Sequence, residues 1–299
     1  VFFGEILLKN NYFQETVDEF DIFHDNQSIS SYPETVLKKL VTTLHHPIHV
    51  DKEIDLTSEK SFLKRLSIKR WYSFLNFQKK NLKAVKKVIS PSLSSKNDIC
   101  RYFDYPSKNI SVIWNGINLD DCKFHQRESF NANFLTIISA DVPMKNLKTV
   151  LKALYLLKQE GINAKLTIVG DLREDNNKLI DRLGLTKEIT YKSKLPRKQL
   201  IQSLNNADIG IAPSKYEGFG FPLVEMIATG LPVIVSDKAS LPELAGNAGL
   251  IFNSSDSNDL KEKMKELIEN AALRNKVAEN SKLRSCLLYT SPSPRDIGE

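Results

Sequence analysis

No apolar run in the 299-residue chain is long enough to cross a bilayer as a helix. The three cysteines, Cys100, Cys122 and Cys286, match neither a disulfide framework nor a metal cluster in their spacing. Scattered cysteines are typical of a reducing compartment, so the expected location is cytoplasmic. The glycines never form a Gly-x-Gly-x-x-Gly sequence, and a dinucleotide cofactor is therefore not expected.

The composition is that of an ordinary globular chain, with 41% hydrophobic and 26% charged residues, and the length suffices for two cores. Lysine and arginine outnumber the acids and give a net charge of +6. A basic surplus suits nucleic acid, anionic lipid or a phosphorylated ligand, and charge alone does not choose among them.

Strand and helix signals alternate along the second half of the chain. Strands are expected at 134–139, 164–169, 189–191, 207–214 with an exit loop, 233–235 and 250–252, and helices at 147–159, 176–183, 197–205, 223–229 and 259–270. Alternation of this kind indicates a parallel sheet with helices on both faces. The first half carries further strand signals at 20–24, 40–44, 88–90 and 110–113, so we predict an α/β chain divided near Asn118.

The most informative segment is residues 216–225, Tyr-Glu-Gly-Phe-Gly-Phe-Pro-Leu-Val-Glu, which joins a predicted strand to a predicted helix. In an open α/β sheet such a loop lies at the edge where ligands bind. Gly218 and Gly220 allow close approach to a ligand, and the following helix start favours a phosphate. Glu217 can accept hydrogen bonds from sugar hydroxyls, and Glu225 can accept them from a ribose diol. The alternative is a capped surface helix with two solvated acids.

This segment resembles the Glu-x7-Glu signature of the retaining GT-B glycosyltransferases, which include glycogen synthases, sucrose synthases and bacterial mannosyltransferases. The resemblance reaches to about residue 280 and includes the segments 43–46, 112–117, 228–236 and 241–244 in the family order. It implies two Rossmann-like domains facing a cleft that holds a nucleotide-diphosphate sugar. Residues 1–118 would be an incomplete acceptor-side domain and residues 119–285 the nucleotide-sugar-binding domain. No metal or other cofactor is expected.

The resemblance also implies roles for individual residues. Glu217 would fix the sugar hydroxyls, Glu225 would hold the ribose, and His45 would contact the sugar near the reacting carbon. The donor would further be bound by Lys145, Gly170, Gly218, Phe219, Gly220 and Phe221, with its base near residues 192–195. Many relatives carry an arginine beside the lysine, but here that position is Ser139 or Ala140, which removes one charge from diphosphate binding.

Three polar residues of the first half are weaker candidates. Asn26, Gln27 and His46 are candidates for the acceptor side, although polar residues in an ordinary loop are the favoured interpretation. The group His45, His46 and His49 has no carboxylate or cysteine at ligand spacing, so a metal site is not expected.

Residues 61–87 are predicted to form one long helix rich in lysine, arginine and aromatic residues. A basic amphipathic helix can lie on an anionic membrane, which would place the protein at the inner face of the membrane. The favoured alternative is a surface helix whose aromatic side faces the core. Nucleic acid is not an expected partner, because no known binding module accompanies the charge.

Both ends of the chain are expected to differ from those of the family. The first domain is shorter than in complete members and is expected to be truncated. Residues 286–299 resemble the translation of a sequencing-library adapter, and we expect them to be an artefactual, disordered tail.

The sequence therefore predicts a retaining hexosyltransferase that moves a sugar from a nucleotide-diphosphate donor to a glycan or lipid acceptor, in polysaccharide or glycolipid biosynthesis. A nucleotide-sugar epimerase is disfavoured by the complete Glu-x7-Glu unit, and a phosphorylase by the chain length. A non-catalytic sugar-binding or scaffold protein stays open, because one diphosphate-binding charge is missing.

Overall fold

The computed structural model of the protein describes residues 16–27, 29, 31–117, 122–127, 129–138 and 142–289, with side chains up to Cys286. The chain divides into two compact units, residues 1–114 and 115–299. Each unit is built on its own parallel sheet, which confirms the α/β class. The domain bounds predicted near Asn118 and residue 285 stay predictions.

The first unit contains a four-stranded parallel sheet in the order β1-β2-β3-β4. Its strands are β1 (Phe23–Asn26), β2 (Leu40–Thr43), β3 (Lys87–Ser90) and β4 (Ile110–Val112). Its helices are α1 (Glu34–Leu37), α2 (His49–Ser58), α3 (Phe62–Trp71), α4 (Leu75–Leu82) and α5 (Leu93–Phe103). The centre of its core is formed by Leu44, Leu82, Ile99 and Phe103, which are almost fully buried.

The second unit contains a six-stranded parallel sheet in the order β10-β9-β8-β5-β6-β7. Its strands are β5 (Asn133–Ile137), β6 (Lys165–Val169), β7 (Ile189–Lys192), β8 (Ile209–Ala212), β9 (Val233–Ser236) and β10 (Gly249–Phe252). Its helices are α6 (Leu147–Gln159), α7 (Glu174–Arg182), α8 (Arg197–Asn205), α9 (Phe221–Ala228), α10 (Leu241–Ala245), α11 (Ser257–Glu269) and α12 (Ala271–Tyr289). The strand order reverses between β5 and β8, and ligands bind at such a switch point.

The central strands of this sheet are buried on both faces, because helices cover both sides of a parallel sheet. All four residues of β8, Ile-Gly-Ile-Ala, and of β9, Val-Ile-Val-Ser, are buried. Helix α6 contributes Val150, Leu151, Leu154 and Leu157 to the same core, at the spacing of one helix face. The sheet is therefore a packed base for the loops after β5 and β8.

The single long helix predicted over residues 61–87 is wrong. The structure has α3, then a 3-10 turn at Tyr72–Phe74, then α4, before β3 begins. Tyr72 and Leu75 are buried here, and the Tyr72 hydroxyl donates to Asp55 Oδ2 at 2.8 Å. The break thus coincides with packing against α2. The sequence gives no sign of it, because basic and aromatic residues occur on both sides of the break.

The favoured interpretation of that segment, with its aromatic side in the core, is wrong for the first half. No residue of α3 is buried. Phe62, Leu63 and Trp71 are 78%, 75% and 75% exposed, and Leu66 is 58% exposed. These four apolar side chains of α3 thus lie at the surface. None of the described helices combines the length and the apolar character that crossing a membrane requires.

The sequence patterns did not predict α2 or α12. Helix α12 is held by contacts that are distant in sequence: the Ser281 hydroxyl donates to Leu231 O at 2.8 Å, and Arg284 Nε donates to Leu244 O at 2.9 Å. Helix α12 continues to Tyr289 and so includes the first four residues of the predicted tail, whose artefactual origin and disorder stay predictions. The remainder of that tail lies outside the described residues.

Candidate active site

An ion pair links the loops that follow β5 and β8. Lys145 Nζ lies 2.6 Å from Glu217 Oε1, and the Ser214 hydroxyl donates to the same oxygen at 2.8 Å. The side chains of Lys145 and Glu217 are only 11% and 17% exposed. A charge with so little solvent needs a partner of opposite sign, so the two side chains depend on each other.

Asn146 fixes this geometry from the β5 side. It has φ +56° just before α6, and its amide donates to the carbonyls of Pro213 at 3.0 Å and Ser254 at 2.8 Å. The backbone N–H of Lys215 donates to Met144 O at 2.8 Å. Hydrogen bonds between the two loops therefore bring the ion pair together independently of its charges.

Ser240, which precedes α10, holds the glycine-rich part of the β8 loop. Its hydroxyl lies 2.9 Å from Glu217 O and 2.7 Å from Phe219 O. Gly220 has φ +96° as the residue before α9, and a Cβ there would lie 3.1 Å from Leu241 Cδ2. The backbone turn thus requires glycine at 220 whether or not a ligand binds.

The first turn of α9 begins in this same loop. It contains no acidic residue, and a helix start of this kind favours a phosphate. Phe219 is buried and packs edge-on against Phe221 with 5.2 Å between the ring centroids, whereas Phe221 is 48% exposed. The structure therefore brings together a first group of the predicted site residues: Lys145, Glu217, Gly218, Phe219, Gly220 and Phe221.

Glu225 lies one turn into α9 and pairs with an arginine that no sequence pattern indicated. Arg197 Nη1 donates to Glu225 Oε1, and Arg197 Nη2 lies 3.1 Å from Cys122 Sγ. The two residues are 28 positions apart, so no helical or strand periodicity joins them. The available signal was Glu225 itself, the sole ionisable residue of an apolar helix.

Glu217 and Glu225 share one arrangement. In each carboxylate Oε1 accepts from a cation, whereas Oε2 has no hydrogen-bond donor within the part of the chain that the structure describes. A carboxylate oxygen in this state can accept a hydrogen bond from a ligand hydroxyl. The predicted contacts of Glu217 with the sugar and of Glu225 with the ribose fit this arrangement and stay predictions.

Gly170 follows β6 with φ +134°. A Cβ here would lie 1.6 Å from Ile138 O, so the neighbouring backbone alone excludes a side chain. Gly170 also lines a cavity of about 230 Å³ together with Asp171, Lys194 and Leu195. This cavity includes part of the loop predicted to hold the donor base, and ligand contact at Gly170 stays a prediction.

A larger cavity, of about 620 Å³, lies at the opposite edge of the sheet, where Asp208 and Pro232 precede β8 and β9. It is lined by none of the predicted site residues. Arg127 in its wall donates to the carbonyls of Ala207 and Thr229, and burial lowers the pKa of Arg127 to about 10. Its guanidinium thus serves the fold, and we do not assign this cavity as the active site.

In the first unit, the backbone of His45 is held on both sides just after β2. Its N–H donates to Gln27 Oε1 at 3.0 Å, and its carbonyl accepts from Ser95 Oγ at 3.0 Å. The ring Nε2 lies 2.7 Å from Asn26 Oδ1, which orients the imidazole. Burial, followed by two nearby histidines, lowers the pKa of His45 below its ordinary value of 6.5. The ring is therefore neutral at neutral pH.

The weaker acceptor-side candidates surround His45. Gln27 Nε2 donates to His46 O at 3.3 Å, so both ends of its amide hold the His45 loop, while Asn26 is exposed. His46 Nε2 lies 3.0 Å from Asp51 Oδ2. Across the described residues, no group of three or more histidine, cysteine or acidic side chains has a metal-site arrangement. Gln27 and His46 thus have structural partners, and acceptor contact by all three residues stays a prediction.

Two parallel-sheet α/β units, the second with a cation and a carboxylate at its switch point, match the GT-B class of fold. The chain belongs to the glycosyl transferases group 1, whose family model matches residues 121–284. A second family model, Glycosyltransferase Family 4, matches residues 6–121. The family resemblance expected from the sequence is confirmed.

Two curated relatives are mannosyltransferases. The chain is 30% identical over 281 residues to the MMP alpha-(1->4)-mannosyltransferase of Mycolicibacterium hassiacum, covering 91% of this chain and 67% of that protein. It is 28% identical over 235 residues to the O-antigen chain mannosyltransferase RfbU of Salmonella typhimurium, covering 77% of this chain and 65% of that protein. The chain thus spans about two thirds of the length of these relatives.

A solved structure has the same fold. Anabaena Alr3699/HepE in complex with UDP and glucose matches with a TM-score of 0.68 at 18% identity, covering 92% of this chain and 77% of that chain. At this level of identity the match concerns the fold alone, and it confirms the GT-B architecture.

Proposed function

We propose that the protein transfers a hexose from a nucleotide-diphosphate sugar to an acceptor hydroxyl with retention of the anomeric configuration. The proposal is carried by the largely buried pair of Lys145 and Glu217, 2.6 Å apart at the switch point of the second sheet. A lysine there can compensate a diphosphate, and the carboxylate beside it can accept sugar hydroxyls. The two mannosyltransferase relatives support a hexose as the transferred group.

The reaction breaks the bond between the anomeric carbon and a phosphate oxygen and forms a bond from that carbon to the acceptor oxygen. Negative charge develops on the departing diphosphate, where Lys145 and the first turn of α9 would stabilise it. When the acceptor approaches on the face that the diphosphate leaves, the departing phosphate can take the acceptor proton. Same-face transfer of this kind retains the anomeric configuration.

The diphosphate contacts are expected to be fewer than in many relatives. The position that carries their arginine falls on Ser139 or Ala140, and both lie outside the described residues. Lys145 then provides most of the side-chain charge for the diphosphate, so its removal should be especially costly for donor binding.

The proposed acceptor is a glycan or a lipid, in polysaccharide or glycolipid biosynthesis. The relative named as an O-antigen chain mannosyltransferase supports a glycan acceptor. We place His45 on the acceptor-side unit as a neutral ring near the transferred sugar, with Asn26 orienting it through the 2.7 Å contact.

Helix α3 supports a peripheral contact with an anionic membrane. Its exposed apolar residues are interspersed with Lys64, Arg65, Lys69 and Arg70, and the helix contains no acidic residue. Burial of the apolar side chains and attraction of the basic ones to anionic lipid would act together. The location that follows from this proposal is the cytoplasmic face of a membrane.

The experiment combines thermal stabilisation with slow hydrolysis of the donor. UDP-, GDP- and ADP-sugars are offered to the wild-type chain, to Glu217→Gln and to Lys145→Ala. We expect one nucleotide class to stabilise the wild type and both variants to lose about a hundredfold in hydrolysis rate. Lys148→Ala and Glu266→Gln, which change exposed residues of α6 and α11, are the controls and should keep the wild-type rate.

Two outcomes would contradict the proposal. Failure of every nucleotide sugar to stabilise the wild type would overturn it. Stabilisation without hydrolysis or transfer would favour the non-catalytic sugar-binding alternative. Retention is tested separately by NMR of the first product formed, from the one-bond coupling between the anomeric carbon and its proton. An inverted product would contradict same-face transfer.

A further inference from the structure

Arg197 has no part in the function proposed above, yet it contacts a residue of the candidate site. It is the first residue of α8, and its guanidinium donates to Glu225 Oε1 in α9. The side chain of Glu225 is 16% exposed and that of Arg197 is 41% exposed. The pair therefore joins an accessible cation to a mostly buried carboxylate.

The position of Arg197 is unfavourable for its own helix. A helix N-terminus carries a partial positive charge, so a cation there is repelled. Lys198 comes next, and the first turn of α8 contains no acidic residue. Glu225 supplies the opposite charge from α9. A local conflict that only a tertiary contact resolves is expected at functional positions.

Glu225 is equally unfavourable in its own helix. Helix α9 reads Phe-Pro-Leu-Val-Glu-Met-Ile-Ala, and most of its side chains are buried. An apolar residue would suit this position, whereas a carboxylate there costs free energy unless it is paired. Arg197 provides that pairing at Oε1, and Oε2 is left without a donor from the described residues.

The Arg197–Glu225 pair lies between two other parts of the site. On one side, Lys194 and Leu195, just before Arg197 in the chain, line the cavity beside Gly170. On the other side, the helix that bears Glu225 begins at the loop held by the Lys145–Glu217 pair. A nucleotide presents base, ribose and diphosphate in this order. The Arg197–Glu225 pair therefore stands where the ribose would lie.

We infer that Arg197 is a positioning residue for the donor ribose: it holds Oε1 of Glu225 so that Oε2 accepts hydrogen bonds from the ribose hydroxyls. The inference rests on the proposed function, because it requires a nucleotide in this site. Arg197 acts through Glu225 and does not need to touch the nucleotide. Fixing the carboxylate before binding reduces the side-chain entropy that binding would otherwise remove.

The experiment measures how strongly the site prefers ribose over 2′-deoxyribose. UDP, GDP and ADP are titrated calorimetrically into the wild-type chain, and the tightest of the three is compared with its 2′-deoxy counterpart. We expect a preference of about tenfold or more for the ribonucleotide, because the deoxy form lacks a hydrogen bond to a charged group. Arg197→Ala and Glu225→Gln should each reduce this preference to about threefold or less. The double variant should reduce the preference no further than either single variant does.

Arg173→Ala is the matched control. Arg173 also stands at the start of a helix that follows a parallel strand, α7 after β6, and its side chain is 60% exposed. This variant should keep the wild-type preference. Arg197→Lys retains the charge and should keep part of the preference, and it replaces Arg197→Ala in the comparison if the alanine variant does not fold.

Three results would overturn the inference. If Arg197→Ala weakens both nucleotides equally and keeps the preference, Arg197 acts on the phosphates or on folding, while the proposed function stands. If neither Arg197 variant changes the preference, the contact with Glu225 has no part in ribose binding. If the wild type binds none of the three nucleotides, the proposed function fails and the inference fails with it.

Discussion

Lys145 and Glu217 stand on opposite sides of the point where the strand order of the second sheet reverses, and their side chains are 2.6 Å apart. Lys145 follows β5 and Glu217 follows β8, which are adjacent strands although 72 positions separate the two residues. The carboxyl ends of parallel strands lie at one edge of the sheet, so the fold joins these charges. Because little solvent reaches either side chain, this pair should matter for stability as well as for donor binding.

Removing one member of the pair should destabilise the second unit more than replacing both. Lys145→Met leaves the Glu217 carboxylate with little solvent and no cation, and we expect a loss of about 2 kcal/mol in the free energy of unfolding. Adding Glu217→Gln should recover most of that loss, since no buried charge then remains. Urea unfolding followed by circular dichroism measures both.

The control for this pair is Lys148→Met, which changes an exposed lysine three residues further along the chain. Its free energy of unfolding should stay within about 0.5 kcal/mol of the wild-type value. A double variant that is no more stable than Lys145→Met would contradict the account of an uncompensated charge.

Gly170→Ala should prevent stable folding of the second unit or lower its free energy of unfolding by more than about 3 kcal/mol. The new Cβ would lie 1.6 Å from Ile138 O, at a φ of +134° that L-residues rarely adopt. Gly184→Ala is the matched control, because its φ is +63° and no atom lies within 4 Å of the added carbon. It should cost only about 1 kcal/mol, from the left-handed backbone alone. Thermal unfolding of the two variants gives the comparison, and equal losses would refute the steric explanation.

His45 should titrate below pH 6.5, because burial disfavours its charged form in the folded state. As the pH falls through 6.5, the unfolded chain gains a proton that the folded ring does not, so the free energy of unfolding decreases. The decrease ends once the pH is below the folded pKa. Stability of the first unit is therefore full above pH 6.5, as far as this group is concerned.

The titration of His45 is measured by NMR of the imidazole signals, and the stability by urea midpoints from neutral to mildly acidic pH. His45→Gln should weaken the loss of stability on acidification without abolishing it, because burial also lowers the pKa of His49. His125→Gln, which replaces an exposed histidine of the other unit, should leave the pH dependence of the first unit's stability as in the wild type. An imidazole of His45 that titrates above pH 6.5 would contradict the prediction.

Helix α3 should carry the protein to anionic vesicles. We expect co-sedimentation with phosphatidylglycerol vesicles and not with phosphatidylcholine vesicles, since the basic residues add attraction only for the former. Lys69→Glu with Arg70→Glu should reduce partitioning about tenfold or more. Lys178→Glu with Arg182→Glu, at two exposed residues of α7, changes the net charge by the same amount and should have a much smaller effect. Equal binding to both lipids would contradict the electrostatic part of the proposal.

The part of the site that lies within one strand–loop–helix unit could be predicted closely. Helix α9 was expected at 223–229 and is found at Phe221–Ala228, and β8 lies within the buried run predicted before it. Glu217 and Glu225 belong to this short segment, so their spacing along the chain already fixes the loop and the helix that carry them. The reason is that turn residues and apolar runs act over a few positions.

Contacts between distant segments could not be predicted in this way. Arg197 reaches Glu225 across 28 positions, and the basic helix is interrupted at Tyr72, whose hydroxyl donates to Asp55. Gly170 was expected to contact the donor, and the carbonyl of Ile138 requires glycine there whether or not that contact exists. In each case the partner belongs to another strand or helix, which no local pattern identifies.

By itself, the sequence determined the alternation of strands and helices, the family, and the loop that carries the two glutamates, because periodicity and turn chemistry are local properties of the chain. Only the tertiary structure decided which cation faces which carboxylate, which glycine the backbone requires, and where the basic helix ends. Those features depend on segments that are far apart in sequence. Packing within each unit brings these segments into contact.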